Sequence, residues 1–177
     1  MLSLLFWVWL GGPLPQRVEL VGGYGEDTQN YRIALEWDLF ERKLQRIPFL
    51  VSATLTPNYS KFESTRSNSV TYSSLTDYGI TPVISLFPTR YTSSALQPFM
   101  EMGIGAHYLT RKGVSEKTFS TNFQFGDHIG FGFVFGPQRR YRIAYVFQHL
   151  SNGGIGSPNP GINFHLATFS FKLPLNH

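Results

Sequence analysis

The chain of 177 residues contains no cysteine. That excludes disulfides and thiolate metal sites and leaves the redox compartment open. Charge is also scarce: charged residues make up 15%, against a usual level of about 25%. No run of about 18 apolar residues occurs, so no transmembrane helix is expected. The mean hydropathy of −0.12 agrees. No run of Lys and Arg is interleaved with a nucleic-acid module, so nucleic acid is not an expected partner. The net charge of +4 suits anionic partners instead, phosphorylated lipid headgroups among them. No GxSxG elbow, no glycine-rich phosphate loop before a helix and no HExxH is present. The usual soluble enzyme classes are thereby removed, and no cofactor or metal is expected.

What the chain has is aromatic side chains, 16% of it, in a pattern of period two. In segment 31–39, Tyr31, Ile33, Leu35, Trp37 and Leu39 alternate with Arg32, Ala34, Glu36 and Asp38. Residues two apart share one face of a strand, so this is a strand with an apolar and a charged face. Segments 98–108 and 123–135 repeat the pattern. Eight such segments are found, near 17–25, 31–40, 49–58, 78–87, 97–109, 122–136, 140–151 and 162–173. Most approach the roughly 9–11 residues that cross a membrane as a tilted strand. Longer connectors near 59–77, 110–121 and 152–161 contrast with the tight 136–139. Long loops at one end and short turns at the other characterise outer-membrane barrels.

Alternation does not by itself say which face points outward. A soluble lipocalin-like barrel or a β-sandwich would alternate too. The polar face carries Arg32, Glu36, Glu101, Arg142 and Lys172 with many glycines, which suits the packed polar interior of a small membrane barrel. Tyr31, Trp37, Tyr108 and Tyr141 lie near strand ends on the apolar face, as interfacial girdles do. The expected fold is therefore all-β, an eight-stranded antiparallel transmembrane barrel over 17–177. Residues 1–16 form an apolar lead-in or the remnant of a secretory signal, Leu2–Leu10 being its apolar core.

One stretch carries chemistry: FQHLSNGGIGSPNPGIN, residues 147–163. His149 and Ser151 end an outward row of strand 140–151. Two residues along a strand advance about 6.6 Å, within reach of a leaning imidazole. A serine becomes a competent nucleophile when a histidine takes its proton and a third group fixes the ring. Asn163, on the neighbouring strand, is placed to accept the His149 N–H, and His165 on the same row is the rival. Asn152 and the amides of Gly153 and Gly154 follow the serine, where donors could stabilise an oxyanion. An ionisable ring on a lipid-facing row is costly without partners. A lone His-x-Ser pair is common, however, and Ser151-Asn152 also serves to start a turn. His107 and His128 lie on the polar face and read as interior hydrogen-bonding groups.

The motif HLSN at 149–152, with NPG at 159–161, resembles the signature of the lipid A 3-O-deacylases, small eight-stranded outer-membrane barrels of Gram-negative bacteria. The resemblance implies His149 as general base, Ser151 as nucleophile and Asn152 as oxyanion contributor. It implies lipid A or lipopolysaccharide as substrate among the outer-membrane lipids, and an active site at the outer-leaflet rim. It leaves a homodimer open. The chain departs from the family's pattern at Asn163, where that pattern has a glutamate. HLSNG followed by an asparagine at this spacing also resembles outer-membrane phospholipase A, a longer, twelve-stranded barrel. An esterase acting on phospholipids and a non-catalytic structural or adhesive barrel are the alternatives.

Overall fold

A computed structural model describes residues 14–67 and 71–174. The leader expected over 1–16 lies almost wholly outside the described residues. Eight long strands form one closed antiparallel barrel: β1 (Arg17–Gly25), β2 (Thr28–Lys43), β3 (Phe49–Ser64), β4 (Ser74–Pro88), β5 (Leu96–Leu109), β8 (Phe123–Phe135), β9 (Tyr141–Ser151) and β10 (Ile162–Lys172). Their order around the barrel is β1-β10-β9-β8-β5-β4-β3-β2. A small hairpin, β6 (Gly113–Val114) and β7 (Lys117–Thr118), rides in the β5–β8 connection. The barrel closes between β1 and β10, from Arg17 opposite Lys172 to Tyr24 opposite His165.

The outward rows are apolar, as the alternation requires. Ile33, Met100, Met102, Ile104, Ile129 and Phe131 are exposed, while Glu36, Glu101, Arg142 and Gln148 are buried inside. A lipocalin-like barrel would have the reverse arrangement. The fold is thus the expected transmembrane barrel, without free sheet edges to satisfy in the membrane.

Two features differ from the sequence reading. First, β2, β3 and β4 are longer than expected, and the connector read as 59–77 shrinks to 65–73. Its Ser, Lys and Glu residues gave 59–64 the composition of a loop, yet Tyr59 and Phe62 keep the strand alternation. Phe62 is buried against Phe164, ring centres 4.8 Å apart, and Tyr59 packs edge-on against Tyr78 at 5.6 Å. Second, the interior is layered rather than polar throughout. Phe62, Leu75, Leu109, Leu150, Ile162 and Phe164 form an apolar plug under the loop end. A small barrel must fill its lumen with side chains, and this layer anchors the strand ends that carry the rim. Below it lies a charged layer. Arg142 reaches Glu36 at 3.4 Å, Glu101 at 3.7 Å and the Ser85 hydroxyl at 2.8 Å, and its guanidinium lies over the Phe99 ring. His107 is hydrogen-bonded to Asp77 at 3.0 Å, as an interior group.

Candidate active site

The loop end of the barrel carries the 26–27, 65–73, 110–122 and 152–161 connections. Two neighbouring strands, β9 and β10, carry His149, Ser151 and Asn163 there, and β8 flanks them. His149 on β9 has Asn163 of β10 directly opposite it on one side and Asp127 of β8 on the other. Ser151 faces Phe125 of β8. Leu150 and Ile162 point inward and are fully buried in the plug. Their burial turns His149, Ser151 and Asn163 to the outer wall, where all three are half-buried. The cluster therefore lies on the barrel's outer wall, near its loop end.

The His149 Nδ1 atom is 2.7 Å from the Asn163 Oδ1. An amide oxygen only accepts, so His149 donates through Nδ1, which leaves Nε2 for a second partner. Gly161 adjoins the same ring from behind. Its φ is +62°, and a Cβ there would stand 2.6 Å from the His149 Cε1. The rival, His165, is engaged elsewhere: its Nδ1 lies 2.6 Å from the Tyr145 hydroxyl, and its ring packs on Tyr24 and Phe147.

Asn152 is fully buried and is the organiser of the 152–161 loop. Its Nδ2 donates to the Ser120 hydroxyl at 2.7 Å and to the Gly156 carbonyl at 2.9 Å. Its Oδ1 accepts from the Gly154 N–H at 2.9 Å, and its own N–H donates to the Asn159 side chain at 3.0 Å. An amide has two side-chain hydrogens, and both are spent. The expectation that the Asn152 side chain faces an oxyanion therefore does not fit this geometry. Gly154's N–H is likewise committed, whereas Gly153, exposed and at φ +63°, sits beside Ser151 over the Phe125 ring.

Two neighbours escaped the sequence reading. Asp127 interrupts the outward Phe row of β8, and a lone carboxylate in that row was the available signal. Glu26 comes from the β1–β2 turn. Its Oε1 accepts from the Asn163 Nδ2 at 2.5 Å and from the Asn163 backbone N–H at 3.2 Å, and its other oxygen pairs with Lys117 on β7. Partial burial alone would raise the Glu26 carboxyl. The hydrogen bonds from Lys117 and Asn163 outweigh it and hold the group below the usual carboxylate range.

The fold and this rim define an eight-stranded membrane barrel with a histidine-centred polar cluster on its outer wall. The family model of the lipid A 3-O-deacylases (PagL) matches residues 29–172, and the chain belongs to that family. A lipid A deacylase PagL of Bordetella bronchiseptica is 39% identical over 75 residues, which span 42% of this chain and 41% of that protein. A lipid A deacylase PagL of Pseudomonas aeruginosa is 24% identical over 155 residues, 88% of this chain and 83% of that protein. A crystal structure of the outer membrane enzyme PagL superposes with a TM-score of 0.75 at 20% identity, covering 89% of this chain and 99% of the other. With the outward apolar belt, the family places the chain in the outer membrane.

Proposed function

We propose that the chain removes an ester-linked acyl chain from lipid A, at the 3-O position, by serine catalysis at the outer-leaflet rim. The observation that carries the reading is the 2.7 Å contact between His149 Nδ1 and Asn163 Oδ1, on the outward row that ends in Ser151. The contact leaves Nε2 free to accept the Ser151 proton. The Ser151 Oγ attacks the acyl carbonyl, and the carbonyl oxygen becomes an oxyanion facing the Gly153 N–H. The oxyanion then collapses and breaks the bond from the acyl carbon to the sugar oxygen, and the imidazolium protonates that oxygen so that it leaves as a hydroxyl. Water, deprotonated by His149, cleaves the acyl-enzyme and releases the fatty acid. Phe123 and Phe125 on β8 and Phe147 on β9 line the wall beside the serine, an apolar surface suited to acyl chains.

Asn163 in place of a carboxylate favours a second reading, an esterase of the same fold acting on phospholipids. The test is mass spectrometry of lipid A and phospholipids from a Gram-negative host with and without the chain. Loss of one ester-linked acyl group from lipid A, absent with Ser151→Ala, supports the deacylase. Unchanged lipid A with accumulated lysophospholipid supports the second reading.

A further inference from the structure

The polar contacts do not stop at Asn163. They run from His149 to Asn163, to Glu26 and to Lys117, across β9, β10, the β1–β2 turn and the β6–β7 hairpin. Asn163 has a weakness as an orienter. Its amide has an accepting and a donating end, and rotation by half a turn exchanges them. With Nδ2 toward the ring, His149 would have to accept at Nδ1 and carry its proton on Nε2. That tautomer cannot take a proton from Ser151.

We infer that Glu26 is a positioning residue, which fixes the polarity of the Asn163 amide and through it the His149 tautomer that the reaction needs. An ionised carboxylate only accepts. Glu26 Oε1 already accepts from the Asn163 backbone N–H, which cannot rotate away, and from Nδ2. The flipped amide would set Oδ1 against that carboxylate, two acceptors with no hydrogen between them. Lys117 neutralises the carboxylate from the far side and keeps it charged. The turn is shaped for the task. Glu26 and Asp27 both lie in the left-handed region, at φ 50° and 62°, which folds the carboxylate back over β10. Asp27 is tied to Arg66 at 2.7 Å, and Arg66 in turn pairs with Glu116 beside Lys117. Gly25 lets this turn approach, because a Cβ there would stand 1.8 Å from the Asn163 carbonyl oxygen.

The role in turnover rests on the proposed serine chemistry, but the hold on the tautomer does not, so the two are read separately. The full chain, with its histidines labelled with nitrogen-15 and refolded in detergent, is compared with Glu26→Ala, Glu26→Gln and Glu63→Gln. Glu63 is a rim carboxylate paired with Lys61, away from the relay. Imidazole nitrogen shifts, assigned by loss of the His149 signals in His149→Ala, report which nitrogen carries the proton. The wild-type and Glu63→Gln chains should show the Nδ1–H form. Glu26→Ala should show a mixture and lose roughly 10- to 100-fold in kcat with KM little changed, the worth of one charge-assisted hydrogen bond. Glu26→Gln should fall between, because its amide can satisfy Asn163 or Lys117 without a donor clash but not both.

The background can reverse the sign. Asn163→Glu sets two carboxylates within hydrogen-bond distance, so adding Glu26→Gln there should raise activity although it lowers it in the parent. Retention of the pure Nδ1–H form and of kcat in Glu26→Ala overturns the inference. Should that chain fail to show the heat-dependent gel shift of a folded barrel, Glu26→Gln decides by the same readings. A lipid A that no variant modifies, together with a tautomer that still responds to Glu26, sinks the proposed function and leaves the relay standing.

Discussion

At the residue scale, the proposed serine chemistry needs three atoms in one tautomeric arrangement. Ser151→Ala and His149→Ala should each abolish acyl release, and the double variant should be little worse than either, because members of a triad act as a unit. Acyl release by Ser151→Ala, in a chain that still folds, would remove the nucleophile from the scheme. Asn163→Glu tests the orienter by pH. A carboxylate against the ring favours the protonated imidazole, so the acid limb of the pH–rate profile should move to higher pH. Glu26 behind Asn163, Lys117 beyond it and Asp127 on the opposite strand are the other charges facing the ring. Glu26 does not confuse the limb in the parent. Its folded value is below its unfolded one, so its contribution is complete above the ordinary carboxylate value of about 4.3 and is lost only as pH falls through the lowered value. Asn163→Glu removes the Asn163 side-chain hydrogen bond to Glu26 and sets a second carboxylate against it, so the limb is read with Glu26→Gln added to both parent and variant. An unmoved limb in Asn163→Glu, with a shifted one in Asp127→Asn, would assign the orienting role to Asp127.

At the scale of elements, the site is a loop and a hairpin. Asn152→Ala cuts ties to Ser120, Gly156 and Gly154 together. The expected result is faster proteolytic nicking within 152–161 and reduced activity, with the barrel's gel mobility unchanged. Gly161→Ala should also reduce activity, since the added methyl meets the His149 ring in a backbone conformation that disfavours it. The legibility of the site divides along the same line. The pairing of His149 with Asn163 was readable because both lie on period-two rows joined by one loop, so the hairpin register brings them opposite. The spent hydrogens of Asn152 were not, because Ser120 reaches it from a different loop. Glu26 stands 137 residues from Asn163 in sequence. Only closure of β1 on β10 makes them neighbours, and a turn residue carries no alternation to reveal it. The extension of β3 to Ser64 was hidden for a related reason: polar composition at 59–64 masked the inward Phe62.

At the scale of the whole molecule, the barrel should require detergent, give a β-rich circular dichroism spectrum and migrate differently on gels when unheated; a chain monodisperse in plain buffer would contradict it. The two faces make opposite demands. Ile129→Arg, on the lipid side, should cost about 2–4 kcal/mol at mid-membrane depth. The lumen holds charge already, and there the stakes lie in balance. Arg142 is the cation between Glu36 and Glu101, all three almost fully buried. Arg142→Ala leaves two carboxylates facing each other without it, and removing one partner of a buried ionic cluster costs about 3–5 kcal/mol. Replacing the cluster together, Arg142→Met with Glu36→Gln and Glu101→Gln, removes the uncompensated charge along with the cation. The triple variant should therefore unfold at a higher urea concentration than Arg142→Ala alone, when both are refolded into the same lipid vesicles. If the triple variant is the weaker of the two, the charged layer stabilises the lumen by more than mutual neutralisation. The Arg142 hydrogen bond to Ser85 and its packing on Phe99 are lost from both variants, so the difference would then lie with contacts that Glu36 and Glu101 make without Arg142.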